Sequence, residues 1–189
     1  MNLTDDFFAL HGIDRGFTIN SSLLEARFKQ LQTQVHPDKF VSANDAEKRR
    51  AMQASVRVNE AYQTLRSPLK RAAYLCEING APIDEHRNTA MPAGFLVQQI
   101  EWREALADIG TNELKNSSKN ELVNSRLAAL ESLQAMVAVE RKTALDKLAL
   151  LLDVERNYAL AALEVRALMF IEKFAEEVHL AIDRAEENT

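Results

Sequence analysis

Few of the side chains able to do chemistry stand close enough together to act jointly. The chain has four histidines and one cysteine among 189 residues. The grouping that stands out is His36-Pro37-Asp38, followed by Lys39 and Phe40. A histidine and an aspartate two apart could supply two ligands of a metal ion, or a base and its orienting carboxylate. Neither chemistry is completed by the rest of the chain. A metal site needs further ligands, and His11, His86 and His179 lie at no obvious spacing from His36. Catalysis needs a nucleophile or a substrate pocket, and no motif supplies one. The remaining reading is structural, with His36 near the last carbonyls of a helix and Asp38 in the turn that follows. One cysteine excludes an internal disulfide and a cysteine-rich zinc site. No glycine-rich loop is present to cradle a phosphate, so no bound nucleotide is expected.

Whatever His36 and Asp38 do, two helices must hold them. Upstream, Leu24, Phe28, Leu31 and Val35 recur at i, i+4, i+7 and i+11, one buried stripe. Ser22 and Glu25, at the start of that stripe, have capping-box spacing. Pro37 ends the helix, because the residue before a proline avoids the helical region. Downstream, Ala51, Ala54, Val58, Ala61, Tyr62 and Leu65 mark a second helix over 45–66. Only about eight residues join the two, so they must pack antiparallel. A short helix over 4–11, capped by Thr4 and stopped by Gly12, precedes the pair. Pro68 opens another, carrying Leu69, Ala72, Ala73 and Cys76. Cys76 falls on its buried stripe and reads as core.

The helix breakers divide the chain. Five Gly and four Pro in 189 residues are too few for a turn-rich β architecture, so the fold is expected to be all-α. Gly80, Pro82, Pro92 and Gly94 gather within residues 79–94, which reads as a linker. No Gly or Pro follows Gly110, as long helices would require. Charge divides at the same place. Residues 1–78 carry 11 Lys or Arg against 9 Asp or Glu, and the remainder 12 against 19. The formal charge of −5 excludes a general polyanion binder. A slightly basic front and an acidic back suggest two different partners, although ordinary solvated surface would show the same split. No apolar run approaches the roughly 20 residues of a membrane span. The N-terminus, with Asp5 and Asp6, fits neither a secretory signal nor a transit peptide, so a soluble, cytoplasmic protein is expected.

In the back half, a helix over 94–109 carries two apolar faces. At 100° per residue, Phe95, Trp102, Leu106 and Ile109 share the face expected in the core. On the far side Leu96, Val97, Ile100 and Ala107 stand beside Glu101, Glu104 and Asp108, where a bundle helix should be polar. An apolar strip edged by carboxylates reads as a docking surface, and a helix sandwiched between two neighbours would give the same pattern. A polar break at 111–118 leads to a helix over 119–150 with Val123, Leu127, Leu130, Val137, Ala144 and Leu148 inward. Asp153 is the expected N-cap of a last helix over 154–187. Its core stripe is Tyr158, Ala161, Val165, Leu168, Ala175, Val178 and Ile182. Leu163, Phe170 and Phe174 make a second apolar side, which either extends the docking strip or packs on the preceding helix. Three such helices form an antiparallel bundle, and the absence of a sustained heptad disfavours an extended coiled coil.

The order and spacing of three segments carry a resemblance. They are His36-Pro37-Asp38, then Asn59-Glu60-Ala61-Tyr62-Gln63-Thr64-Leu65, then Lys70-Arg71-Ala72-Ala73-Tyr74. Residues 1–78 resemble the J-domain of DnaJ-type co-chaperones. That resemblance implies a surface that contacts the ATPase domain and interdomain linker of a seventy-kilodalton heat-shock chaperone, biasing it toward ATP hydrolysis. His36, Pro37 and Asp38 would be the trigger, and Arg27, Lys29 and Lys39 the basic residues of the docking face. Two positions depart from the pattern. Val35 replaces the aromatic often found before the tripeptide, and Thr33 and Gln34 stand where Lys or Arg is common. Docking is then expected to be weaker or more partner-specific, with modest salt dependence.

With the segment from Phe95 to Glu104 and the bundle added, the chain resembles the HscB family, the J-type co-chaperones of iron–sulfur cluster assembly. The resemblance is strongest at 7–78 and 95–109. It implies a J-domain over 1–78, a linker over 79–94 and a client-binding three-helix bundle over 95–189. It implies an IscU-type scaffold bound at Leu96, Val97, Ile100, Glu101, Glu104, Asp108 and Phe170, and an HscA-type chaperone as the second partner. It implies no enzymatic activity, no cofactor and no metal. The zinc-binding cysteine pairs of some eukaryotic relatives are absent, so the resemblance is to the bacterial type. A J-protein with a different client and a metal-dependent hydrolase built on His36 and Asp38 are the competing expectations.

Overall fold

A computed structural model describes residues 5–40, 42–83, 94–111 and 119–187. Among the described residues there are seven α-helices, a 3-10 turn and a π-helical turn, and no strand. They fall into two compact units, Met1–Pro82 with Ala149–Tyr158, and Ile83–Leu148 with Ala159–Thr189. Thr4, residues 84–93 of the expected linker and residues 112–118 of the expected polar break lie outside the described residues.

In the first unit α1 is Phe7–His11, α2 Ser21–Val35, α3 Asp45–Arg66 and α4 Pro68–Ile78, with the 3-10 turn at Pro37–Phe40. The α2–α3 hairpin closes on Leu24, Val35, Ala51, Ala54, Val58, Ala61 and Leu65, all buried. Phe28 stacks on Tyr62 with ring centroids 3.9 Å apart. The caps differ from the sequence reading. α1 is capped by Asp6 rather than Thr4, and the Asp6 carboxylate accepts from the N–H of Phe8 at 2.9 Å and of Ala9 at 3.0 Å. Burial pushes the Asp6 carboxyl up, but the Ala9 N–H and the paired Arg15 guanidinium outweigh it and hold the group below its ordinary value. Asn20, not Ser22, caps α2, because its side chain reaches the Leu23 N–H at 3.0 Å. The reciprocal capping box lies instead at the start of α3, between Asn44 and Glu47.

α4 ties the unit together through the Lys70-Arg71-Ala72-Ala73-Tyr74 segment. The Tyr74 hydroxyl accepts from the Phe7 N–H at 3.0 Å and its ring stacks on Phe7. Arg71 is buried and donates from Nε to the Phe17 carbonyl at 2.7 Å and from Nη1 to the Leu65 carbonyl. The other side of the Phe17 peptide is held by Asp153. Its carboxylate accepts from the Phe17 N–H at 2.6 Å and the Thr18 N–H at 2.9 Å. Asp153 is therefore not the cap of the last helix. That helix begins at Tyr158, after a π-helical turn at Leu150–Val154 and Arg156 at a left-handed φ of 53°. Gly16 allows the approach: a Cβ there would stand 3.3 Å from the Asp153 Oδ1. Replacing Asp153 with Ala leaves the part-buried Phe17 amide without its acceptor and the exposed Thr18 amide to water, and is expected to lower stability by about 1–2 kcal/mol, with Asn intermediate. Urea unfolding followed by circular dichroism measures it; an unchanged midpoint for Asp153→Ala contradicts the assignment.

His11, at the end of α1, is buried. Its Nδ1 donates to the Phe7 carbonyl at 3.1 Å, and its Nε2 has no hydrogen-bond partner. Burial drives the imidazole pKa below its ordinary value, partly countered by the Phe7 carbonyl. The folded state therefore holds His11 neutral while the unfolded chain takes up a proton near pH 6.5. Stability is full above that pH and falls below it, by up to about 1.4 kcal/mol per pH unit. His11→Asn keeps a donor near the position of Nδ1 and does not titrate. Between about pH 7.5 and about pH 5.5 the wild type should lose stability relative to this variant. A difference between the two that does not change with pH contradicts the burial of a neutral imidazole.

The second unit contains α5 Phe95–Thr111, α6 Lys119–Ala149 and most of α7 Tyr158–Glu186. Gly94, at a φ of 87°, makes the left-handed turn that starts α5. Leu130, Leu133, Val137, Ala144 and Leu148 of α6 and Val165, Leu168, Ile171, Phe174, Val178 and Ile182 of α7 are buried. Ion pairs from Lys147 to Glu164 and from Arg141 to Glu172, the latter at 2.9 Å, link α6 to α7. Phe95 and Trp102 are the buried residues of α5. They pack on α7, where Phe95 meets Phe170 edge-on at 5.7 Å and Trp102 stacks on Phe174 at 5.4 Å. On the second apolar side of α7, Phe170 and Phe174 are thus the seat of α5.

Candidate protein-docking sites

The tripeptide sits where a helix is forced to stop. His36 is the C-cap of α2 with extended backbone, as a residue before proline must be. The turn that follows closes when the Lys39 N–H donates to the His36 carbonyl at 3.0 Å. The His36 ring is anchored from within: Nδ1 accepts from the Asp38 N–H at 3.3 Å and lies 3.4 Å from Asp38 Oδ2. One nitrogen cannot accept from the amide and donate to the carboxylate at once, so the ring makes one contact or the other according to which nitrogen carries the proton. Both side chains remain open to solvent, His36 at 53% and Asp38 at 85%. Val35 is buried under the hairpin, so the position before the tripeptide serves the core in this chain.

The three basic residues assigned to this face are all exposed, but they are not gathered. Arg27 and Lys29 are about 160° apart around α2, so they occupy opposite flanks. Lys29 lies on the flank that leads to His36 and is paired with Glu25 at 2.7 Å. Arg27 faces Gln30, at 3.4 Å. Lys39 stands in the 3-10 turn beside Asp38.

On α5 the far face is solvent-exposed. Leu96, Val97 and Ile100 are 60%, 59% and 58% accessible, and Glu101, Glu104 and Asp108 are exposed beside them. Phe170 departs from this group. It is half-buried on the core side of α5, among Phe95, Trp102 and Phe174. The reason is the wheel of α7: the side opposite its Leu168 stripe is occupied by the aromatic residues of α5. Arg103, not singled out from the sequence, lies with its guanidinium 5.5 Å from the centre of the Phe170 ring. It edges the apolar strip on the side away from the carboxylates, a place its angle beside Leu96 would have shown. Among the described residues no group of three or more His, Cys, Asp or Glu could hold a metal ion, and no helix is long and apolar enough to cross a membrane.

An open helical hairpin with an exposed His-Pro-Asp turn, joined in one chain to a helical bundle, is the architecture of a J-type co-chaperone. A family model described as the HSCB C-terminal oligomerisation domain matches residues 91–179. A co-chaperone protein HscB homolog of Burkholderia multivorans is 43% identical over 98% of this chain and 99% of its own length. A homolog of Ralstonia nicotianae is 42% identical over 97% and 98%. Among solved structures, the chaperone HscB from Vibrio cholerae matches with a TM-score of 0.79 at 30% identity, over 95% of this chain and 99% of that one. The human co-chaperone protein HscB matches at 0.80 and 27% identity, over 96% and 84%. The chain belongs to the HscB co-chaperone family.

Proposed function

We propose that this protein is a cytoplasmic, non-enzymatic adaptor in iron–sulfur cluster assembly. Its bundle binds an IscU-type scaffold and its J-domain presents that client to an HscA-type chaperone. The His36-Pro37-Asp38 turn stimulates ATP hydrolysis by the chaperone, and any cluster chemistry is the client's. The observation that carries the reading is the coexistence of two exposed surfaces of opposite character. One is a polar turn held by α2 and α3; the other is an apolar strip rimmed by Glu101, Glu104 and Asp108. Such a strip suits a partner segment that is apolar with basic flanks. Steady-state ATPase of the HscA-type chaperone, with this protein and with or without the scaffold, tests the whole scheme. Stimulation that increases with scaffold supports it; no stimulation in either condition overturns it.

A further inference from the structure

Arg156 is out of place by its backbone. The turn that ends the π-helical segment is closed by the Glu155 N–H on the Leu150 carbonyl and the Asn157 N–H on the Leu151 carbonyl, both at 2.9 Å. A turn of this kind needs one left-handed residue, and glycine ordinarily fills it. Here Arg156 does, at a φ of 53° and with the steric cost that a Cβ brings. Its guanidinium has no hydrogen bond or ion pair among the described residues. A strained position that carries an unpartnered charge points to a use outside the fold itself.

Arg156 lines a cavity of about 490 Å³ in the first unit, with Arg15, Thr18, Asn79, Asp153 and Tyr158. The wall is rich in free donors. Arg15 spends Nη2 on Asp6 and leaves Nε and Nη1 without a partner among the described residues. The Thr18 and Tyr158 hydroxyls likewise have none. The one carboxylate on the wall is already committed: Asp153 Oδ1 accepts from the Phe17 N–H at 2.6 Å and Oδ2 from the Thr18 N–H at 2.9 Å. Two guanidiniums with hydroxyls beside them suit a dianion whose oxygens take paired bonds, and a phosphate monoester is such a group. The volume falls in the range of sites for whole small molecules, roughly 300–1,000 Å³, so phosphate alone would leave much of it to water. Asn79 meets the rest of the ligand. Its Nδ2 donates to the Leu75 carbonyl at 2.7 Å, which leaves Oδ1 to accept from a hydroxyl.

We propose that this cavity binds the phosphate monoester of a small polyhydroxylated molecule, with the phosphate between Arg15 and Arg156 and a ligand hydroxyl on Asn79. The bound molecule ties the loop between α1 and α2 to the turn before α7. It therefore stabilises the unit that carries the His-Pro-Asp turn. None of the wall residues belongs to that turn or to the α5 strip, so the site is independent of the chaperone and of the client.

Calorimetric titration of the full chain with glycerol 3-phosphate at pH 8, where the phosphate is dianionic, tests the proposal. Titration to about 10 mM covers the weak binding that exposed guanidiniums give. One site per chain is expected, with inorganic phosphate several-fold weaker and acetate weaker still. Arg156→Gly keeps the left-handed turn, so it should fold at least as stably as wild type while binding about tenfold more weakly or worse. Tyr158→Phe, which keeps the ring, should bind several-fold more weakly. The urea midpoint of the wild type should rise with ligand, and that of Arg156→Gly should not. A wild type with neither binding heat nor midpoint shift overturns the proposal. Binding by Arg156→Gly equal to wild type overturns it as well. Inorganic phosphate that binds as tightly as glycerol 3-phosphate overturns the role of Asn79, and acetate that does so overturns the assignment to a phosphate.

Discussion

His36→Gln is expected to abolish the stimulation of the chaperone's ATPase while leaving scaffold affinity unchanged. The side chain lies beyond the last turn of α2 and is exposed, so its replacement removes no core contact. Glutamine is of similar size and retains an acceptor, so the turn keeps its shape through the Lys39 N–H bond to the residue 36 carbonyl. What disappears is the imidazole and its two alternative contacts with Asp38. Lowering the chaperone's hydrolysis barrier by about 1–3 kcal/mol corresponds to roughly 5- to 150-fold in rate, and all of that stimulation should be lost. Scaffold affinity measured by calorimetry on the same variant completes the test. Stimulation within twofold of wild type would remove His36 from the mechanism; weakened scaffold binding would break the separation of the two surfaces.

Leu96→Ala together with Ile100→Ala is expected to do the reverse. Leu96 and Ile100 are one turn apart on α5 and more than half exposed, so truncating them leaves the bundle's core intact. If they anchor the client, their loss costs about 2–4 kcal/mol of binding, or roughly 30- to 1,000-fold in Kd. Stimulation of the chaperone by the variant without scaffold should be unchanged. An unaltered scaffold Kd would show that the exposed strip is not the client's seat. Phe170 behaves differently from the pair. Phe170→Ala removes a ring packed against Phe95 and Trp102, so it should lower stability as well as affinity.

Much of this was legible in the residue pattern. The α2 and α3 stripes, Pro37 and Pro68 placed the hairpin, and the wheel of α5 separated Phe95 and Trp102 from Leu96, Val97 and Ile100. What the pattern hid was long-range. Asp153 looked like a cap because aspartate before a helix usually is one. Its actual partners, the Phe17 and Thr18 amides, are 136 and 135 residues away. The turn before α7 went unmarked because Arg156 takes a left-handed conformation ordinarily given to glycine. Phe170 was misplaced because a wheel shows that a helix has two apolar sides but not which neighbour covers each. Arg27 and Lys29 share a docking face only through the resemblance; residues two apart on a helix face nearly opposite ways.

The bond between Asp153 and the Phe17–Thr18 peptide has a consequence during synthesis. The first unit is interrupted in the chain: Met1–Pro82 is made first, and Ala149–Tyr158 follows only after all of Ile83–Leu148. Until then the Phe17 and Thr18 amides have no carboxylate. Closing a loop of that length adds little to the thermodynamic cost, since the entropy grows only with the logarithm of length. It does set the order of events. A nascent chain halted before residue 149 can form the α2–α3 hairpin but cannot complete the unit that carries the His-Pro-Asp turn, so the finished surface emerges only late in translation.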